Sequence, residues 1–217
     1  PAWNILVVAP PDVPTRFFIE AIAPASERQK GHSPYRVKIV RDRNLIDEEL
    51  STYTGVVFID PPPLPKDLQQ QLLEYVVSGG SLGLFLGHNM ELSTASLNAD
   101  LIGGTLTRQW RADVDNFLEI RDDQHRSLRS FQSMPSSVPW AQFPIMRYWQ
   151  LENLGVQTQT VMQFSQTRHP ALVQHNHGKG TVLTLLTPIS EPAQIAGRTS
   201  WNELVSGDDN WPYFLLI

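Results

Sequence analysis

The chain has 217 residues, 41 % of them hydrophobic and 18 % charged, with a formal net charge of −5. This is a globular composition whose length suits one α/β domain, with or without an insertion. The acidic balance without a Lys/Arg cluster argues against a nucleic-acid surface. The lack of cysteine excludes disulfides, cysteine–zinc sites and cysteine nucleophiles, and no apolar run reaches the ~20 residues of a membrane-spanning helix.

Asn4–Ala9 is a short apolar run with β-branched residues, bounded by Pro10-Pro11, and predicts a buried strand. Thr15 opens a helix over Arg16–Ala23, and Tyr35–Val40 alternates as a second strand. Leu45–Leu50 is a short helical or loop segment. Gly55–Asp60 is a third strand, ended by Pro61-Pro62-Pro63. Pro65 then stands where a helix accepts a first-turn proline, and Leu68, Leu72, Tyr75 and Val76 share one helix face before Gly79-Gly80 stops it. Ser81–Leu86 follows as a strand ending in Gly87, which completes a right-handed βαβ unit. Leu92–Gly104 reads as loop with one helical turn, and Thr105–Tyr148 as an inserted region of hairpins and loops. Thr160–Phe164 is a strand. Ala171–Gln174 and Thr181–Leu186 flank a turn as a late β-hairpin. Trp201–Leu204 and Trp211–Ile217 close the chain. The expected fold is α/β: a flavodoxin-like, open, mostly parallel sheet flanked by helices, with one inserted β/loop region.

Such folds place chemistry at the carboxyl ends of central strands. Here that end reads Gly83-Leu84-Phe85-Leu86-Gly87-His88-Asn89. It resembles the nucleophile elbow of the class I glutamine amidotransferase-like family, G-x-C-x-G-H-Q, with Phe85 where the cysteine belongs. The family's late His-Pro-Glu resembles Thr187-Pro188-Ile189. The resemblance therefore implies a degenerate triad at Phe85, Thr187 and Ile189. None of these is a nucleophile or a base, so no catalytic residue is expected. The elbow glycines imply a tight turn with unusual dihedrals and close backbone packing. A narrower resemblance rests on ILVVAPPDVPTRFFIEAIAP, DPPPLP, GGSLGLFLG, RYWQL, and WNEL followed by GDDNWPYF. These stretches are similar to a region of large bacterial BatA-like membrane proteins of the aerotolerance-operon type, which carry a von Willebrand factor A-like domain. That resemblance implies a soluble module of a membrane-anchored parent. Its partners would be the parent's other domains, a von Willebrand factor A-like domain among them. The fragment itself would touch neither membrane nor nucleic acid. A start at Pro1 and a stop inside Phe214-Leu215-Leu216-Ile217 fit an excised domain.

Asp12 and Asp60 follow predicted strands and, with Gly87, His88 and Asn89, could line one ligand pocket. A carboxylate–histidine pair there could do acid/base work. The plainer reading is that both aspartates cap turns beside prolines and that His88 orients its loop. His175 and His177 alternate on a strand and could hold a metal, with His169 the only nearby third ligand. Two imidazoles do not make a zinc site, so no metal or other cofactor is expected. Gly178-Lys179-Gly180-Thr181 precedes a strand and is not a phosphate loop. No G-x-S-x-G occurs. Arg147-Tyr148-Trp149, Trp140, Trp201 and Trp211 are either packing or a binding surface. Three functions follow as expectations: a non-catalytic interaction or ligand-sensing module; a hydrolase using His88 with Asp60 or Asp12; and a carbohydrate- or peptide-binding module using exposed aromatics.

Overall fold

The computed structural model describes residues 2–92, 97–113, 115–132, 138–190, 197–205 and 216–217. Strands β1 (Trp3–Ala9), β2 (Tyr35–Arg41), β3 (Gly55–Ile59) and β4 (Ser81–Phe85) alternate with helices α1 (Arg16–Ile22), α2 (Ala25–Gln29) and α3 (Lys66–Ser78). After a one-turn helix α4 (Ala99–Ile102) come β5 (Thr105–Arg111), β6 (Leu118–Ile120), a short helix α5 (Arg129–Gln132), β7 (Arg147–Glu152), β8 (Thr158–Phe164), β9 (Pro170–His177) and β10 (Gly180–Leu185). Leu45–Leu50, read as helix or loop, falls across two 3-10 turns at Asp42–Asp47 and Leu50–Thr52.

The main sheet has the order β2-β1-β3-β4-β10-β9-β8-β6. The first five strands are mutually parallel, and the last three add antiparallel. The expected open, mostly parallel sheet with a late hairpin is thus the observed fold. The order reverses between β1 and β3, and that reversal is the switch point where such sheets leave a crevice.

Register explains the layers. Leu6, Val56, Leu82 and Val182 stand side by side on one face, with Val8, Phe58, Leu84 and Thr184 in the next row. All eight are at most 2 % exposed, because α3 covers them with Leu72 and Val76. Tyr75 of α3 sends its hydroxyl to the Tyr53 and Ser81 carbonyls. Its ring fills the space a side chain at Gly80 would need. Gly79 ends α3 in the left-handed conformation at φ 119°. The opposite face is less well covered: Ile5, Val57, Phe85 and Leu183 are only partly buried, and α1 is short.

Two features depart from expectation. Thr105–Tyr148 is not a self-contained run of hairpins. β5 pairs with β7, far along the chain, in a separate two-stranded ribbon, and β6 joins the main sheet as its outermost strand beside β8. β7 is a strand that the sequence pattern does not announce. Tyr148, Trp149, Gln150 and Leu151 are all buried, so neither alternation nor a helical period appears. The carboxy-terminal Trp211 and its neighbours at 211–215 lie outside the described residues.

Candidate functional site

Four of the five predicted pocket residues converge at the carboxyl ends of β3 and β4. Asp60 leaves β3 with φ 48°, the left-handed region that Asp tolerates better than most residues. Its carboxylate turns back over the β4 elbow and is 3 % exposed. The Asn89 backbone N–H donates to Asp60 Oδ1 at 2.9 Å, and the Asn89 amide donates to Asp60 Oδ2 and to the Asp60 carbonyl, each at 3.3 Å. The His88 backbone also lowers the pKa of the carboxyl. Burial nonetheless pushes the Asp60 carboxyl above the ordinary carboxylate range, against the lowering pull of these donors, of His88 and of Arg198.

Gly87 is required here for space, not for its dihedrals. A Cβ built on it would lie 2.7 Å from the Asp60 carboxyl. Gly87 does not have a positive φ, so the expectation of unusual glycine dihedrals is corrected: the positive φ at this site belongs to Asp60, in the neighbouring turn after β3. The Gly87 carbonyl accepts from Trp149 Nε1 at 3.0 Å, which ties β7 across the end of the sheet.

His88 is held from several sides. Its Nε2 lies 3.0 Å from the Thr199 carbonyl, and a carbonyl only accepts, so Nε2 carries the proton. The ring packs on Trp201 with centroids 5.0 Å apart. Nδ1 stands 3.9 Å from Asp60 Oδ2, beyond hydrogen-bond reach. Arg198 completes the cover, donating to Asn89 Oδ1 at 2.8 Å and lying 3.5 Å from Asp12 Oδ2. Asp12 itself is exposed and, among the described residues, joins the site through Arg198. Residues 197–205 therefore lie over the elbow, a role that sequence reasoning assigned to no segment. Arg198, Thr199 and Trp201 sit in no periodic element that would mark them.

The degenerate triad positions are structural. Phe85 is partly buried and tilted against Phe18 of α1, with centroids 5.8 Å apart. Its ring folds back beside Gly83, where a Cβ would touch it at 3.4 Å. Thr187 is fully buried. It donates to the Arg147 carbonyl at 3.1 Å and accepts from the Asn202 amide at 2.8 Å. Ile189 is 1 % exposed, in the core.

The remaining candidates disperse. The His175 and His177 rings are 5.7 Å apart, but His169 turns away to the Tyr148 hydroxyl at 3.0 Å. Among the described residues no group of three or more His, Cys, Asp or Glu side chains could hold a metal ion. Trp149 and Trp201 are 2 % and 3 % exposed, so neither offers a ring face to a ligand. Trp140 is half-buried against Phe131.

Burial lowers the pKa of both His175 and His169 below the ordinary histidine value; His177 adds to the effect at His175 while Asp100 opposes it, and at His169 Glu152 opposes it. A histidine depressed in the folded state gives stability that is complete above the unfolded pKa of about 6.5 and is lost as pH falls below it. The urea midpoint is therefore expected to drop between pH 7.5 and pH 5.5 with the m value unchanged. The His169→Gln/His175→Gln double variant should flatten that drop. An equally steep drop in the double variant would refute the assignment.

No family model matches this chain, and no curated protein matches it. Solved structures do resemble it. Cytoplasmic protein STM3548 from Salmonella typhimurium is 12 % identical at a TM-score of 0.67, over 97 % of each chain. Cytoplasmic protein STM1381 from Salmonella typhimurium LT2 is 13 % identical at 0.65, over 98 % of this chain and 92 % of that one. A ThuA-like protein from Bacteroides uniformis is 11 % identical at 0.57, over 91 % and 86 %. At these identities the likeness carries the fold alone, a flavodoxin-like α/β architecture.

Proposed function

We propose that this chain is a non-catalytic, amidotransferase-like module that binds a ligand or partner within a larger, membrane-associated BatA-like protein. No described helix is long and apolar enough to cross a membrane, so an anchor would belong to other parts of the parent. The observation that carries the reading is the Asp60 carboxylate lying on the elbow. Acyl-transfer chemistry needs backbone N–H groups aimed at a developing oxyanion. Here the Asn89 N–H is taken by a carboxylate of the same chain, which also lies beside the His88 backbone. The burial of Thr187 and Ile189 supports the same reading, since neither side chain reaches a substrate.

One observation favours a second reading. His88 and Asp60 form a 3.9 Å pair with side chains 7 % and 4 % exposed, which a small shift could turn into a histidine–carboxylate dyad for hydrolysis. The two readings separate in one assay. The chain is incubated with glutamine, followed by ammonia release, and with p-nitrophenyl esters and glycosides, followed by absorbance. No turnover above buffer is expected from the wild type or from His88→Ala. Turnover that disappears in both His88→Ala and Asp60→Asn would establish the hydrolase and end the non-catalytic reading.

A further inference from the structure

A concavity lies at the β1/β3 switch point, on the α3 side of the sheet, and neither Asp60 nor His88 lines it. It has a volume of about 510 Å³, within the range of small-molecule sites. Its floor is Val8 and Phe58, from the strands on either side of the reversal in strand order. One wall is Leu45 and Ile46 of the 3-10 turn after β2, and the other is Leu68 of α3 with the run Pro61-Pro62-Pro63. Prolines hold a fixed φ and present flat ring faces, so this wall is ordered before any ligand arrives and little ordering entropy is lost on binding. Ile46 is 87 % exposed, a large apolar side chain left at the rim with nothing over it.

The mouth carries both signs of charge. Asp42, Arg43 and Asp67 all line it. None of the three side chains makes a hydrogen bond or ion pair with another described residue. An apolar interior of this size selects an apolar body. A mouth with an unpaired guanidinium and unpaired carboxylates selects a head group with one negative and one positive end. A carboxylate is met in parallel by a guanidinium, and an ammonium by carboxylates. We infer that this pocket binds a free apolar α-amino acid, with an aromatic or branched side chain against the proline wall and its zwitterionic head at Arg43, Asp42 and Asp67. An amine or an acid of the same shape would leave one of the two charge types unmatched. A peptide terminus offers only one of the two charges. The inference deepens the proposed binding function and rests on it.

The test is a titration of the ¹⁵N-labelled full chain with L-phenylalanine, followed by the amide signals of Leu45, Ile46, Leu68 and Gln71 and run beside phenethylamine and 3-phenylpropionate. Saturable shifts at these amides are expected, with L-phenylalanine binding more tightly than either analogue. Arg43→Gln and the Asp42→Asn/Asp67→Asn double variant should each weaken binding about two- to fivefold, the scale of exposed charge pairs. Arg43 and Asp67 are exposed and Asp42 half-buried, and unshifted spectra elsewhere would verify that the variants fold. Three results would overturn the inference: no saturable shift at these amides up to the solubility limit, an analogue binding as well as the amino acid, or variants binding like the wild type. Mass spectrometry of the incubated phenylalanine separates this from the wider reading. Conversion of the amino acid would end the non-catalytic reading while leaving the pocket's ligand class in place.

Discussion

Asp60→Ala is expected to lower the stability of the folded chain by about 2–5 kcal/mol, because the part-buried Asn89 donors lose their acceptor together. The Asn89 N–H and the Asn89 amide both end on this carboxylate, and an orphaned buried donor costs about 1–3 kcal/mol. Alanine also inherits φ 48°, which it adopts less readily than aspartate. In a chain of this size each 1 kcal/mol is worth roughly 2–4 °C of melting temperature, so the variant should melt on the order of 10 °C lower by calorimetry. Asp60→Asn is the discriminating partner. Its side-chain oxygen can still accept from Asn89 N–H, asparagine tolerates the left-handed region, and no charge is buried. The pH dependence follows from the raised pKa of Asp60. Between the unfolded value of about 3.9 and the higher folded value, the folded chain binds more protons, so this group's contribution to stability falls as pH rises. Asp60→Asn removes that slope and should narrow its deficit, or gain on the wild type, on going from pH 4 to pH 7. An Asp60→Ala variant as stable as the wild type would mean that the carboxylate does not hold the elbow.

The parallel half of the fold was legible because its strands are continuous apolar runs punctuated by proline and glycine. Pro10-Pro11, Pro61-Pro62-Pro63 and Gly79-Gly80 each fall where an element stops. The face of α3 was legible for the same reason: Leu72, Tyr75 and Val76 recur at helical spacing and are buried with Gln69, while Leu68 is half-buried. The antiparallel half was harder. β6 has three residues, too few to show a period, and its partner β8 is distant in sequence. At the site, the clustering of Asp60, His88 and Asn89 could be anticipated because all three lie at strand carboxyl ends. What fills the site could not. Arg198, Thr199 and Trp201 come from an irregular segment more than 100 residues away from His88 and Asn89, and long-range loop contacts leave no local pattern. Of the two tasks the sequence offers for Gly87, only close packing applies, since a glycine kept for space and one kept for dihedral freedom look identical in a sequence.

Trp201→Ala should cost about 3–5 kcal/mol, the range for truncating a buried large aromatic ring. The ring is 3 % exposed and lies between His88, at 5.0 Å, and Trp149, at 6.0 Å. Its backbone carbonyl accepts from the N–H groups of Met146 and Arg147, and Asn202 remains bonded to Thr187 and Pro188. The segment therefore stays attached while the ring is lost, and the urea midpoint should fall with little change in m value. This variant also decides what the segment over the elbow does. If it only screens a competent site, removing the ring uncovers His88 and hydrolysis of small esters should appear. If the elbow is inert because Asp60 occupies the Asn89 N–H, uncovering His88 changes nothing, and the variant should be as inactive as the wild type despite its lower stability. The second outcome is the expected one. The barrier to chemistry then lies in the carboxylate beneath His88, not in the tryptophan above it. Ester turnover in Trp201→Ala that vanishes on adding His88→Ala would reverse that order and make residues 197–205 a lid.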